Sequence, residues 1–274
     1  MKIACCQLDI VWENKPANYA KVRQLLDAAQ LSPGSLVLLP EMFSTGFSMN
    51  VAGIREGSPS ETETFLAEAA RHYGLWLLGG LVSAGPDGRG RNEAVVFSAE
   101  GKLLARYCKL QPFTLGGEAQ HYLAGTDIVT FNWQGFAVAP FICYDLRFPE
   151  LYRAAVQRGA QLLVVIADWP IMREHHWTTL LRARAIENQA YVAGVNQTGQ
   201  DPKFVYPGRS MIIDPQGEVL ADAGRPAGLI SADVDLEQVR AWRRDFPALQ
   251  DIRAEFELRA KPDNAMPAKL AQHA

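Results

Sequence analysis

The stretch AVAPFICYDLRFPE, residues 137–150, runs an apolar segment into one cysteine and then turns at once into charge and proline. Ala137 to Ile142 reads as a buried strand, and Pro149 stands where proline opens a helix, so Cys143 falls at a strand-to-helix turn. Turns of that kind, at the carboxyl edge of a sheet, are where α/β proteins bind ligands and present nucleophiles. A plainer reading competes with this one, because free cysteine is among the most buried residue types and can simply fill core space. Cys5, Cys6 and Cys108 are read that way.

Outward from this turn the chain alternates between β-like and helical runs. KIACCQLD (2–9), SLVLLPE (35–41) and LWLLGGLVS (75–83) read as strands, separated by the helices ANYAKVRQLLDAAQ (17–30) and SETETFLAEAARHYG (60–74). After Cys143 come the helix PELYRAAVQRGA (149–160), the strand QLLVVIADWP (161–170), the helix HHWTTLLRARAIENQ (175–189) and the strand AYVAGVNQTG (190–199). Two segments read instead as hairpins, NEAVVFSAEGKLLARYCKL around Ala99–Lys102 and GRSMIIDPQGEVLADAG around Pro215–Gly217. Runs such as LLVVIA are apolar on both faces and demand cover on both sides, while the helices carry charge on one face. The expected class is therefore α/β, two mixed sheets packed face to face with helices outside. With no linker in between, residues 1–258 form one domain, and the polar, alanine-rich residues 259–274 form a tail.

The chain has 274 residues, 48% of them hydrophobic, enough for a sizeable core. Its 27 basic and 30 acidic residues give a net charge of -3 without a block of like charge, which speaks against a nucleic-acid partner. Asp9 and Glu13 interrupt any signal-peptide core, and no apolar run reaches the roughly 18 residues of a membrane helix, so a cytoplasmic protein with no membrane partner is expected. Four cysteines, two of them adjacent, do not form a disulfide framework. The five histidines show no zinc-site spacing, and no metal is expected.

An unassisted thiol, with pKa about 8.5, is mostly protonated at neutral pH, so a nucleophilic Cys143 needs a base or a cation nearby. His175 and His176 are the best-placed histidines, although a surface position at a helix start explains them as well. Two other strand ends carry ionisable groups: SLVLLPEMFSTGF drives an apolar run into Glu41, and LLARYCKLQPF ends a strand with Lys109. Either residue alone reads as a solvated boundary charge. Together with Cys143 they form a constellation in which Glu41 takes the thiol proton while Lys109 steadies a thiolate and then an oxyanion.

At these residues the sequence resembles the nitrilase superfamily of carbon–nitrogen hydrolases, whose signature is a Glu-Lys-Cys triad. The three motifs stand in the family's order as LVLLPEMFSTGF (36–47), RYCKLQPF (106–113) and FICYDLRFPELYR (141–153). Family-like wording continues through DWPIMREHHWTTLLRARAIENQAYVAGVNQTG (168–199), with Asp168 where the family commonly has asparagine or alanine, and through GRSMIIDPQGEVL (208–220). Within the superfamily, EMFSTGFSMN, CYDLRFPELYR and RRDFPALQD look most like the bacterial omega-amidase branch.

The resemblance implies an αββα sandwich and hydrolysis of the terminal amide of a 2-oxo acid monoamide such as 2-oxoglutaramate or 2-oxosuccinamate. It also implies a small-molecule substrate, no cofactor, and pairing into a homodimer or higher homo-oligomer. It makes Glu41 the general base, Lys109 the oxyanion partner, Cys143 the nucleophile and Glu118, in LGGEAQHYLAGTD, a second glutamate that positions the lysine and substrate. The backbone N–H of Tyr144 joins Lys109 at the oxyanion. For the substrate carboxylate Arg147 is the nearest cation in sequence, or else a partner of Asp145 or Glu150; Arg173, Lys203 and Arg209 are further candidates. Phe43, Tyr144 and Trp169 are candidates for the acyl pocket, with core packing as the alternative for each. Another amidase, a carbamoylase or a nitrilase would use the same triad, and an inactive binding protein on this fold is the remaining alternative.

Overall fold

Runs rich in valine, isoleucine and leucine form the strands, and the half-charged runs between them form the helices. The computed structural model of the chain describes residues 1–253. Its strands are β1 (Lys2–Gln7), β2 (Leu36–Leu38), β3 (Trp76–Ala84), β4 (Gly90–Phe97), β5 (Leu103–Cys108), β6 (Tyr122–Leu123), β7 (Phe131–Trp133), β8 (Phe136–Ile142), β9 (Leu162–Ala167), β10 (Tyr191–Asn196), β11 (Thr198–Gln200), β12 (Val205–Pro207), β13 (Met211–Ile213), β14 (Val219–Asp222) and β15 (Gly228–Asp233). The helices are α1 (Lys15–Ala28), α2 (Val51–Ile54), α3 (Glu61–Tyr73), α4 (Glu118–His121), α5 (Pro149–Gln157), α6 (Glu174–Asn188) and α7 (Leu236–Asp245).

One sheet runs β15-β1-β2-β3-β4-β5, with β6 beside β4; the second runs β14-β13-β10-β9-β8-β7. Each has three parallel strands, β1-β2-β3 and β10-β9-β8, flanked by antiparallel neighbours. Pro140 has no N–H to give a neighbour, and it falls beyond the last β7 pair, Phe131 with Val138, where β8 keeps only β9 beside it.

The alternation of side chains along β1 divides the core. Cys5 joins Ile3, Leu38, Ala94 and Val138 between the sheets, whereas Cys6 joins Ala4, Val22 and Leu66 in the layer beneath α1 and α3. Trp177, Leu181 and Ala185 of α6 and Tyr152 and Ala155 of α5 cover the outer face of the second sheet. The result is the expected αββα sandwich. Helix ends follow their local chemistry: the Ser60 side chain accepts from the Glu63 N–H at the start of α3, and Gly74 ends that helix at φ 64°.

The two hairpins form where their turn residues stand, as β4-β5 and β13-β14. Edge strand β15 and helix α7 have no counterpart in the sequence reading, because GLISAD lacks clean alternation and α7 buries only Val239 among charged residues. The tail at 259–274, and the last residues of the expected domain, lie outside the described residues.

Candidate active site

Three strands end at one place. Glu41 follows β2, Lys109 follows β5 and Cys143 follows β8, while Glu118 opens α4 directly after Gly117, at φ 78°. The Lys109 ammonium is 2.9 Å from Glu41 Oε1, 2.8 Å from Glu118 Oε2 and 3.1 Å from Glu118 Oε1, and all three side chains are buried. Asn92 Nδ2, from β4, donates to both carboxylates, to Glu41 Oε1 at 2.6 Å and Glu118 Oε1 at 3.0 Å. The Phe113 N–H gives a further bond to Glu118 Oε2 at 2.6 Å, and the Asp168 N–H one to Glu41 Oε2 at 3.0 Å. No carboxylate oxygen in this knot lacks a donor.

Burial alone works against a charged lysine, but Glu118 and Glu41 outweigh it and hold the Lys109 pKa well above its ordinary value. Cys143 is pushed the other way from a reactive thiolate: burial and the Glu41 charge raise its pKa, and Lys109 offsets part of the rise. The resting sulfur is thus a thiol that needs a base when it attacks.

The turn that carries Cys143 is fixed by Asp145. Its carboxylate accepts from the Ile142 N–H at 2.9 Å, the Gln111 N–H at 2.9 Å and the Tyr107 hydroxyl at 2.8 Å, tying the cysteine turn to the strand that ends in Lys109. Cys143 itself sits at φ 46°, a left-handed conformation uncommon for any residue but glycine, in keeping with a sharp turn that projects one side chain.

Cys143 and Lys109 open on one pocket. Tyr144, Arg147, Trp169 and Arg173 line it too. Arg147 lies 4.8 Å over the Trp169 ring and 3.2 Å from His176 Nδ1, and Arg173 lies 5.4 Å over the Phe113 ring. Among the described residues neither arginine forms an ion pair, so Asp145 and Glu150 are not the partners of Arg147.

Other candidates fall elsewhere. Phe43 is fully buried against Tyr19 and Phe65 in the layer beneath α1 and α3, the core-packing alternative; Phe47 reaches the pocket in its place. Arg209 is spent on Asp222 at 2.7 Å and Glu174 at 3.0 Å; Lys203 is exposed in the Asp201–Phe204 turn, where its neighbour Phe204 and not Lys203 lines the pocket. His175 touches Thr179 on its own helix.

Asn92, which bridges the two glutamates, escaped the sequence reading. Its only signal is an amide between Arg91 and Glu93 at the start of a strand that turns apolar from Ala94 onward. Gly80 escaped it as well: a Cβ there would stand 2.4 Å from the Met42 backbone nitrogen and 2.8 Å from Glu41 Cα, so only glycine lets β3 pass beneath the Glu41 turn.

A sequence profile of the carbon-nitrogen hydrolase family matches residues 2–244. The chain is 41% identical over 258 residues to omega-amidase YafV of Yersinia enterocolitica, covering 92% of this chain and 96% of the relative. It is 34% identical to the 2-oxoglutaramate amidase of Bacillus subtilis, covering 93% and 98%. Among solved structures it resembles a mutant of an amidase from Nesterenkonia sp. that carries the acetamide moiety of fluoroacetamide covalently on the active-site cysteine. That similarity has a TM-score of 0.83 at 28% identity, covering 93% of this chain and 94% of the other.

Proposed function

The chain belongs to the carbon–nitrogen hydrolase family, and from that premise we propose that it is an omega-amidase, cleaving the terminal amide of 2-oxo acid monoamides such as 2-oxoglutaramate and 2-oxosuccinamate. The observation that carries this reading is one pocket at which the Cys143 thiol, the buried Glu41–Lys109–Glu118 knot and two arginines without carboxylate partners among the described residues come together. The knot suits an amide carbon, and the arginines suit the carboxylate at the other end of the substrate.

In the proposed reaction Glu41 takes the Cys143 proton as sulfur attacks the amide carbon. The oxyanion is met by Lys109 and by the Tyr144 N–H, a first-turn amide with no acceptor inside its own helical turn. Collapse returns the proton from Glu41 to the leaving nitrogen, releases ammonia and leaves a thioester on Cys143. Water, losing a proton to Glu41, then hydrolyses the thioester and frees the 2-oxo dicarboxylic acid. Glu118 holds Lys109 in line, Trp169 and Tyr144 wall the acyl chain, and Arg147 and Arg173 take the carboxylate.

The same reading makes this a cytoplasmic enzyme of one catalytic domain that pairs into a homodimer; light scattering returning only the monomer mass would exclude the pairing. The deciding experiment measures ammonia from 2-oxoglutaramate, 2-oxosuccinamate, N-carbamoyl amino acids and simple nitriles, beside a Cys143→Ala control. Turnover confined to the first two, and lost in the control, is expected. Preference for a carbamoyl or nitrile substrate would reassign the pocket within the family.

A further inference from the structure

The proposed reaction leaves the carboxyl group of Asp168, in the lining of the pocket, unused. Asp168 follows β9, lines the same cavity as Cys143 and Lys109, and is 4% exposed. Among the described residues neither of its carboxylate oxygens has a hydrogen-bond partner. A buried carboxylate with no donor is among the costliest arrangements a protein can hold, and such an orphan usually marks a strain or a function.

Its surroundings make ionisation harder still. Glu41 faces it from the turn after β2, Glu118 from α4, Asp201 from the turn between β11 and β12, and Cys143 from the turn after β8. Tyr206 of β12 is also close, but its hydroxyl is given to Asp201 at 2.6 Å. Lys109, the cation that faces it, already lies between two carboxylates. Arg147 and Arg173 share the pocket without a hydrogen bond to Asp168. The backbone N–H of Asp168 is itself committed to Glu41 Oε2. Burial first, and the Glu41 charge second, push the carboxyl well above the ordinary carboxylate range, and with no donor on either oxygen the site favours the neutral acid.

A neutral carboxylic acid carries one O–H donor and one carbonyl acceptor, and here the protein answers neither. We propose that Asp168 is a substrate-contacting residue that works as a neutral acid on the leaving-nitrogen side of the reacting amide. The amide oxygen is claimed by Lys109 and the Tyr144 N–H, which leaves the nitrogen to the side of Glu41 Oε2, the oxygen that Asp168 flanks. In the planar amide that nitrogen donates, and the Asp168 carbonyl oxygen accepts. Once the carbon is tetrahedral the single lone pair on nitrogen takes the proton that Glu41 returns, while the Asp168 carbonyl oxygen goes on accepting an N–H, a stronger donor as the nitrogen is protonated; no proton leaves Asp168. Ionisation of Asp168 sets a negative charge against Glu41 and the attacking sulfur, so activity falls as Asp168 loses its proton.

The inference rests on the amidase reading above, and its test separates the two. Steady-state ammonia release from 2-oxoglutaramate is followed from neutral to alkaline pH in wild type, Asp168→Asn and Asp168→Ala, with thermal melts to verify folding. Asparagine cannot ionise, so its alkaline limb of kcat/KM is expected to move up by about one pH unit or more. Alanine loses the contact, and kcat at neutral pH is expected to fall about tenfold with KM little changed, since the nitrogen becomes the stronger N–H donor only as Glu41 protonates it. Independently, the infrared spectrum of Cys143→Ala should contain a protonated carboxyl band that shifts when 2-oxoglutaramate or acetamide is added and that disappears when Asp168→Asn is introduced as well. An alkaline limb unmoved in Asp168→Asn, full kcat in Asp168→Ala, or a band absent or unresponsive to amide would overturn the role. A wild type that releases no ammonia from 2-oxoglutaramate would instead sink the omega-amidase assignment, and the acetamide arm would still decide on Asp168.

Discussion

Replacing Gly80 by alanine would drive a methyl group into the backbone that carries Glu41. The new Cβ would stand 2.4 Å from Met42 N, 2.8 Å from Glu41 Cα and 2.8 Å from Pro40 O, where ordinary contact begins near 3.4 Å. All three obstacles are main-chain atoms, so no side-chain rotation relieves them, and the turn must retreat from β3 by about 1 Å. Glu41 then moves against a Lys109 ammonium held at 2.9 Å and a donor from Asp168 at 3.0 Å, stretching both contacts past hydrogen-bond length. A displacement of that size at a reacting group costs about 10²-fold in rate. The accompanying overpacking costs about 1–3 kcal/mol of stability. Gly79→Ala is the matched comparison, because its Cβ meets the Phe43 ring at 2.9 Å, on the face away from the pocket. The assay is kcat and KM for ammonia release with melting temperatures for both variants. Gly79→Ala should lose stability and keep kcat, whereas Gly80→Ala should lose kcat while folded. A folded Gly80→Ala protein with kcat within about threefold of wild type, or a Gly79→Ala protein equally impaired, would refute the claim that β3 sets the position of Glu41.

Two further outcomes follow from the same geometry. Glu118→Gln keeps the shape but sets an amide nitrogen against donors, since Lys109, Asn92 and Phe113 all donate to this carboxylate. Losing one charge-assisted bond of about 1.5–3 kcal/mol should lower kcat roughly 10- to 100-fold with little change in KM, and a kcat near wild type in steady-state assays would remove Glu118 from the positioning of Lys109. Asp145 tests the cysteine turn: burial outweighs its three donors and raises its pKa to about 7. The unfolded chain ionises near pH 4, so between about 4 and 7 the folded state binds the extra proton and stability falls as pH rises, by up to about 4 kcal/mol. Asp145→Asn lacks that slope. Its deficit against wild type, read as the difference in melting temperature, should therefore shrink from pH 5 to pH 8; a constant difference would contradict the assignment.

Much of the scaffold was legible because periodicity and turn chemistry are local. LLVVIA can only be a strand covered on both faces, and the Ala99–Lys102 and Pro215–Gly217 turns announce their hairpins. Edge strand β15 and helix α7 were not, since their patterns are weak and β15 exists by pairing with β1, more than two hundred residues away in the chain. At the site, Glu41, Lys109 and Cys143 were legible because each ends an apolar run in a reactive group. Asn92 was not, because a bridging amide looks in sequence like any polar residue in a strand. Phe43 was misjudged for a related reason: with Phe47 only four residues further on in the same motif, nothing local says which ring turns toward the pocket.

The sequence by itself therefore determined the α/β class, the strand ends that carry Glu41, Lys109 and Cys143, and the family that their motifs belong to. Only the tertiary structure decided that Lys109 is locked between two glutamates and that, among the described residues, Arg147 and Arg173 form no ion pair and the Asp168 carboxyl has no hydrogen-bond partner. The difference is physical. Which residues terminate a strand depends on neighbours in the chain, whereas the protonation and reactivity of a buried charge depend on every group the fold brings within a few ångströms of it.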